Sequence, residues 1–177
     1  MKWQEQWAGL LGLIAAVVLT IVVVVHNLAK PYIAAAEARW RAALIDKVLP
    51  YPKRRLLPND TVVSERTKIT PYALPANDTA WVLETWTPQG YGGDIVLLLG
   101  VSPERSVTAV QVLSHRETPG IGDQFQYRDW LHQFDHHLAT QALPFASIDQ
   151  LSGATITSKA IVQQFNTALS VWRNHVD

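Results

Sequence analysis

The sequence predicts an α+β chain on a single N-terminal transmembrane helix, followed by a soluble domain with a mainly antiparallel sheet and packed helices. Three observations predict it. From Trp7 to Val25 nineteen consecutive residues carry no charge, and Thr20 is the only polar side chain among them. Three strand-like runs then follow one another between Trp81 and Ser114, separated by glycine- and proline-bearing turns. The last stretch, Ser158 to His175, repeats Ile161, Val162, Phe165, Leu169 and Trp172 at helical spacing.

The apolar span is long enough, as a helix, to cross a hydrocarbon core of about 30 Å. Trp3 and Trp7 at one end, and His26, Asn27 and Lys30 at the other, are suitable interface anchors. A cleaved signal peptide would have a shorter apolar core and a small-residue cleavage site. Here the β-branched run Ile21 to Val25 reaches the polar flank, so a retained anchor is expected over residues 1–28. Only Lys2 is basic before the span, whereas Lys30, Arg39 and Arg41 follow it, and that count alone places the following domain in the cytoplasm. Residues 29–50 read as a connecting helix with an apolar face through Ile33, Trp40, Leu44 and Val48. Its expected role is to pack on the domain or to extend the anchor as a stalk.

Between Pro50 and Pro75 the prolines predict irregular structure with a short strand at Thr61 to Val63. The basic cluster Lys53-Arg54-Arg55 reads there as a solvated face. Trp81 to Thr87, Asp94 to Val101 and Ser106 to Ser114 form an antiparallel meander. Its middle run, Ile95 to Leu99, is apolar at every position and so predicts a central strand covered on both faces. The closing helix packs on this sheet.

Composition excludes several kinds of chemistry. Fifteen basic residues balance fifteen acidic ones, which removes any net-charge argument for nucleic acid, and no nucleic-acid partner is assigned. The chain has no cysteine, so disulfides, thiolate metal sites, cysteine-ligated iron–sulfur clusters and thiol catalysis are excluded. Redox chemistry in this chain needs a bound cofactor. His132 and His136 stand at the spacing that would set two ligands on one helical face beside His137. No third ligand accompanies them and no metal is assigned. The seven tryptophans fit core or membrane-interface packing.

Three segments carry the functional reading. Gly90-Tyr91-Gly92-Gly93-Asp94-Ile95 sets glycines around a tyrosine, where a planar ring can lie against backbone. The tight loop Glu117-Thr118-Pro119-Gly120-Ile121-Gly122-Asp123 can turn backbone amides toward a ligand, while Glu117 and Thr118 add side-chain hydrogen bonds. Asp149-Gln150-Leu151-Ser152-Gly153-Ala154-Thr155 presents a threonine hydroxyl after three small residues, an approachable place to attach a bulky group. The plain alternative for this last run is a strand-to-helix turn capped by Thr157 or Ser158.

In order and approximate spacing these segments resemble the FMN-binding domain family. More narrowly they resemble the family of G subunits of Rnf ion-translocating electron-transport complexes, with a more distant similarity to the C subunit of the sodium-pumping NADH:quinone reductase. Gly90 to Ile95 matches the Gly-Tyr-x-Gly segment, and Glu117 to Asp123 the Glu-Thr-Pro-Gly-Leu-Gly-Asp segment with Ile121 for leucine. Asp149 to Thr155 matches the flavin acceptor motif, and Asp129-Trp130 also agrees. The region between Trp130 and Asp149 looks shorter than in typical members, which touches a partner-facing loop rather than the flavin site.

The resemblance implies an FMN-binding domain over residues 51–177, with Thr155 bearing FMN through a covalent phosphoester. Ser152, Gly153 and Ala154 form the turn that presents it. Glu117, Thr118, Gly120, Gly122 and Tyr91 line the isoalloxazine or its ribityl chain, and Asp149 serves the flavin transferase or the turn. The implied function is an electron relay in an ion-translocating ferredoxin:NAD oxidoreductase complex, a translocase component with no complete reaction of its own. Its implied partners are the membrane and iron–sulfur subunits of that complex and the flavin transferase during maturation. The resemblance sets the domain on the periplasmic side of the bacterial inner membrane, against the charge count, and outweighs it. The alternatives are a component of a sodium-pumping NADH:quinone reductase and a non-catalytic membrane-anchored FMN-domain sensor or scaffold.

Overall fold

The computed structural model describes residues 2–64, 66–75, 77–120, 123–127 and 129–176. Helix α1 (Lys2–Val48) runs through Pro31 without a break, so the anchor and the connecting helix form one element. The alanine-rich stretch after Pro31 favours helix, and proline removes only one donor from the ladder. The chain divides into two compact units, Met1–Arg41 and Ala42–Asp177.

The first unit contributes the one helix among the described residues that is long and apolar enough to cross a membrane. Its aliphatic side chains from Leu10 to Leu28 are exposed. Thr20 does not leave a polar group bare there, because its hydroxyl donates to the Ala16 carbonyl at 2.8 Å. Of the expected interface anchors, Trp7 is exposed and the Trp3 side chain lies outside the described residues.

The second unit starts with the last turns of α1, where Leu44, Val48 and Leu49 are buried. Ile33 and Trp40, expected on the same apolar face, are instead exposed and belong to the first unit. A six-stranded antiparallel sheet follows, in the order β1 (Arg55–Leu56), β3 (Thr67–Ala73), β4 (Thr79–Thr87), β5 (Ile95–Val101), β6 (Val107–His115), with β2 (Val62–Ser64) also paired to β3. β5 is an interior strand paired with β4 and β6, and its apolar run is covered on both faces. Ile95, Leu97 and Leu99 enter one core and Leu98 the other.

β3 corrects the expectation of irregular structure before Pro75. Pro71 argues against a strand, since it cannot donate to a ladder. In the fold its carbonyl accepts from Leu57 N–H at 3.1 Å, on the side away from β4. The missing donor therefore faces the short flanking strands, and the pairing with β4 stays intact from Thr67↔Thr85 to Ala73↔Thr79.

Each face of the sheet is covered differently. Helix α3 (Thr155–Val176) covers one face with Ile161, Phe165, Leu169 and Trp172. Trp172 meets Trp81 edge-on at 5.3 Å between ring centroids. The end of α1 covers part of the other face, and there the Val48 carbonyl accepts from Thr108 Oγ1. That approach requires Gly100, since a Cβ on it would lie 2.7 Å from the Val48 carbonyl carbon.

Arg54 is also corrected, from solvated face to helix cap. Its guanidinium donates to the carbonyls of Leu49 at 3.1 Å and Tyr51 at 3.2 Å, and pairs with Asp46. A cation just past a helix C-terminus complements the helix dipole, and here it also ties down the turn that follows α1. Between β6 and α3 lie the short helix α2 (Gln124–Tyr127) and 3-10 turns at Asp129–Phe134 and Phe145–Ser147.

Candidate functional site

Helix α3 begins at Thr155, three residues earlier than a Thr157 cap would allow and four earlier than a Ser158 cap would. The structure replaces that cap with a tertiary arrangement. Thr157 and Ser158 lie inside the first turn and are fully buried. Ser158 Oγ donates to the Ala154 carbonyl at 3.0 Å and accepts from Leu151 N–H at 3.3 Å, which folds the preceding turn onto the helix. The first helical bond runs from Ser158 N–H to the Ala154 carbonyl at 2.9 Å. Leu151 and Ala154 are buried, whereas Ser152, Gly153 and Thr155 are exposed. Gly153 has φ 78°, and among the described residues nothing beyond its chain neighbours lies within 4 Å of where its Cβ would be. The turn thus needs glycine for its backbone and leaves open space beside Thr155.

Upstream the run is held by its backbone. Asp149 N–H donates to Gln133 Oε1 at 2.7 Å, and the Asp149 carbonyl accepts from Trp130 Nε1. The Asp149 carboxylate itself is on the exposed side.

Glu117 draws the three motif segments together. Its side chain is buried, with 4% exposure. One carboxylate oxygen accepts from Gly92 N–H at 3.2 Å and the other from Thr157 Oγ1 at 2.8 Å. The glycines of the first segment permit this closeness. A Cβ on Gly92 would stand 2.9 Å from the Arg116 carbonyl carbon and from Glu117 Cα, and one on Gly90 would stand 3.0 Å from Ile95 Cδ1.

The rest of the second segment is a loop. Gly120, at φ 80°, donates its N–H to the buried Asp123 at 2.7 Å and, among the described residues, has nothing within 4 Å of a would-be Cβ. Thr118 is exposed, and Tyr91 is 71% exposed. Gly122 and Ile121 lie outside the described residues. Thr157 joins the site although sequence reasoning offers it only as a cap. Its position two residues after the acceptor motif is visible in the sequence, but its contact with Glu117 spans forty positions and has no local sign.

The exposed hydroxyl of Thr155 stands at the start of a twenty-two-residue helix. The first amides of a helix have no intrahelical acceptor, and its macrodipole sets about half a positive charge there. A phosphate group at Thr155 would meet those amides. Among the described residues nothing lies within 4 Å of a Cβ on Gly153, which leaves room beside the turn for an attached group, so Thr155 and its turn fit a phosphate-bearing ligand.

The histidines do not form the helical pair that their spacing allows. His132 Nδ1 is 2.8 Å from Asp135 Oδ2, and His136 lies beyond the 3-10 turn at φ 61°. His137 Nε2 is 3.1 Å from the Gln141 carbonyl. Among the described residues no group of three or more metal-ligating side chains is gathered.

Residues 90–170, which span all three segments, match the model of the FMN-binding domain family. Over nearly the whole chain the sequence is similar to the G subunits of ion-translocating oxidoreductase complexes from several bacteria. The Haemophilus influenzae (strain PittEE) protein is 32% identical over 192 residues, covering 99% of this chain and 93% of that protein. The Pasteurella multocida (strain Pm70) protein is 34% identical, with 97% and 95% covered. That of Aliivibrio fischeri (strain MJ11) is 28% identical, with 93% and 88% covered.

Proposed function

The chain belongs to the family of G subunits of ion-translocating oxidoreductase complexes, and on that basis we propose that it is a membrane-anchored flavoprotein whose FMN is joined covalently to Thr155. FMN, when bound, exchanges electrons one or two at a time and so suits a step between single-electron carriers. The protein supplies its position. One observation carries the acceptor assignment: Thr155 is exposed on the first residue of α3, beyond a left-handed Gly153, and the same turn is tied through Thr157 to the other two motif segments.

Attachment joins Thr155 Oγ to the flavin phosphorus. The hydroxyl gives up its proton, and an anhydride bond in an activated FMN donor breaks to release the second phosphate-bearing part. A flavin transferase performs this step. The first-turn amides of α3 would receive the phosphate oxygens, and Ser152, Gly153 and Ala154 would keep the approach uncrowded. Thr118, Gly120 and Tyr91 would border the ribityl chain and ring. The buried Glu117 would hold the Gly90–Gly93 loop and Thr157 in place.

In this reading the complex passes electrons between reduced ferredoxin and NAD and couples them to ion movement across the bacterial inner membrane. The neighbouring partners are its membrane and iron–sulfur subunits, and the domain lies on the periplasmic side. Intact mass of the chain expressed in its native host tests the centre of the proposal. An FMN-sized adduct is expected in the native protein and not in Thr155→Ala. A native chain without the adduct, or a variant that keeps it, refutes the assignment. Copurification of a ferredoxin-oxidising assembly tests the wider placement, and recovery with a quinone-reducing assembly refutes it.

A further inference from the structure

We infer that Thr157 is a positioning residue for flavin attachment, acting through the buried carboxylate of Glu117 to set which way the first turn of α3 faces. The inference rests on Thr155 being the acceptor.

Three observations carry it. First, Thr157 is buried although it lies two residues from the exposed Thr155, in the first turn of the helix. Successive helical residues are about 100° apart, so residues two apart point roughly 200° from each other. Holding Thr157 inward therefore turns Thr155 outward.

Second, the Thr157 hydroxyl is used differently from other helical threonines of this chain. Thr20 and Thr167 donate back to the carbonyl four residues earlier, at 2.8 and 2.9 Å. That bond is local and leaves the helix free to rotate as a body. Thr157 instead donates across the fold to Glu117 at 2.8 Å.

Third, Glu117 is itself fixed. Its other carboxylate oxygen accepts from Gly92 N–H at 3.2 Å, and its own N–H donates to His115 Nδ1 at 3.1 Å. A buried carboxylate is tolerated only when its oxygens receive donors, and charge-assisted bonds are stronger than neutral ones. The pair Thr157–Glu117 is thus a stiff reference between the acceptor turn and the Gly90–Gly93 loop. Glu117 acts here through Thr157 and Gly92.

The test uses the purified full-length chain in detergent, its flavin transferase, and flavin adenine dinucleotide as the phosphoanhydride donor of FMN. Attachment is followed by intact mass against acceptor concentration. Thr157→Val, which keeps shape and loses the hydroxyl, is expected to lower kcat about tenfold or more with KM changed less than about threefold, as misorientation of a reacting group does. Thr157→Ser restores the hydroxyl and is expected within about twofold of wild type. Thr155→Ala is run beside them. If Thr155→Ala gains the adduct, the acceptor reading fails. If Thr155→Ala stays bare and a folded Thr157→Val is modified at the wild-type kcat, the positioning role alone fails. Should Thr157→Val melt below the assay temperature, Glu117→Gln takes its place with the same expected loss. Unfolding of both would mark the pair as a folding element and overturn the inference.

Discussion

Gly92→Ala probes the junction between two of the three motif segments with the smallest change available. The added methyl would stand 2.9 Å from the Arg116 carbonyl carbon and from Glu117 Cα, where ordinary contact begins at 3.4 Å, and the Arg116 carbonyl oxygen is closer still. All three obstacles are backbone, so no side-chain rotation relieves them. The Gly90–Gly93 loop must move off the Arg116–Glu117 backbone by half an ångström or more. Overpacking of this kind costs about 1–3 kcal/mol. The same movement stretches the bond from Gly92 N–H to Glu117, now 3.2 Å, and a bond to a charged acceptor contributes about 1.5–3 kcal/mol. Because one displacement causes both losses they do not add fully, and a total of roughly 2–4 kcal/mol is expected. Urea unfolding of the full-length chain in detergent, followed by tryptophan fluorescence, should show a midpoint lowered by about 1–2 M at an unchanged slope. Gly120→Ala is the comparison. Among the described residues it meets nothing within 4 Å, but it has φ 80°, so the expected cost is backbone strain of about 1–2 kcal/mol. A Gly92→Ala midpoint at or above that of Gly120→Ala would refute the account of Gly92 as a close-approach glycine.

Gly100→Ala should destabilise by about 1–3 kcal/mol, because its methyl enters the space of the Val48 carbonyl and opens the bond from Thr108; hydrogen exchange should show the last turn of α1 loosening first. Thr85 is fully buried, bonded to Thr67 at 2.9 Å and to the Arg66 carbonyl at 3.0 Å, and accepts from Gln164. Thr85→Val should cost about 1–3 kcal/mol by leaving those groups unpaired, and adding Gln164→Leu should recover part of it, as a double-mutant cycle in urea would record. Tyr72 is held above its ordinary pKa by burial, partly offset by Arg54, and Tyr51 by burial and the charge of Glu104. Their neutral forms favour the fold, so this stability is fully present below pH about 10 and lost as pH rises through the raised values. Tyr72→Phe should flatten that alkaline loss in urea titrations between about pH 9 and 12, and an unchanged slope would contradict it.

Much of the architecture was legible because it depends on local pattern. Nineteen uncharged residues need apolar surroundings wherever they lie, and the all-apolar run Ile95 to Leu99 needs cover on both faces. β3 was not legible, because whether Pro71 breaks a strand depends on which side its missing donor faces, and that depends on Leu57 and β4. Arg54 looked like one of three solvated basic residues until the end of α1 supplied carbonyls for it to cap. Ile33 and Trp40 fall on the apolar periodicity with Leu44 and Val48, yet periodicity cannot say where packing stops.

For the site, three motif segments carry the resemblance to FMN-binding domains, and composition only narrows the redox options. A chain without cysteine must borrow its redox group, and three short segments in order point to FMN and to Thr155 as its candidate acceptor. Folding supplied the relation among them. Glu117, Gly92 and Thr157 are remote in sequence, and nothing in their local patterns says that one buried carboxylate takes a hydrogen bond from each of the other two. Local propensity acts over a few residues, whereas a buried charge draws its donors from wherever the chain brings them, so the start of α3 and the inward turn of Thr157 emerge only once the sheet and helix have packed.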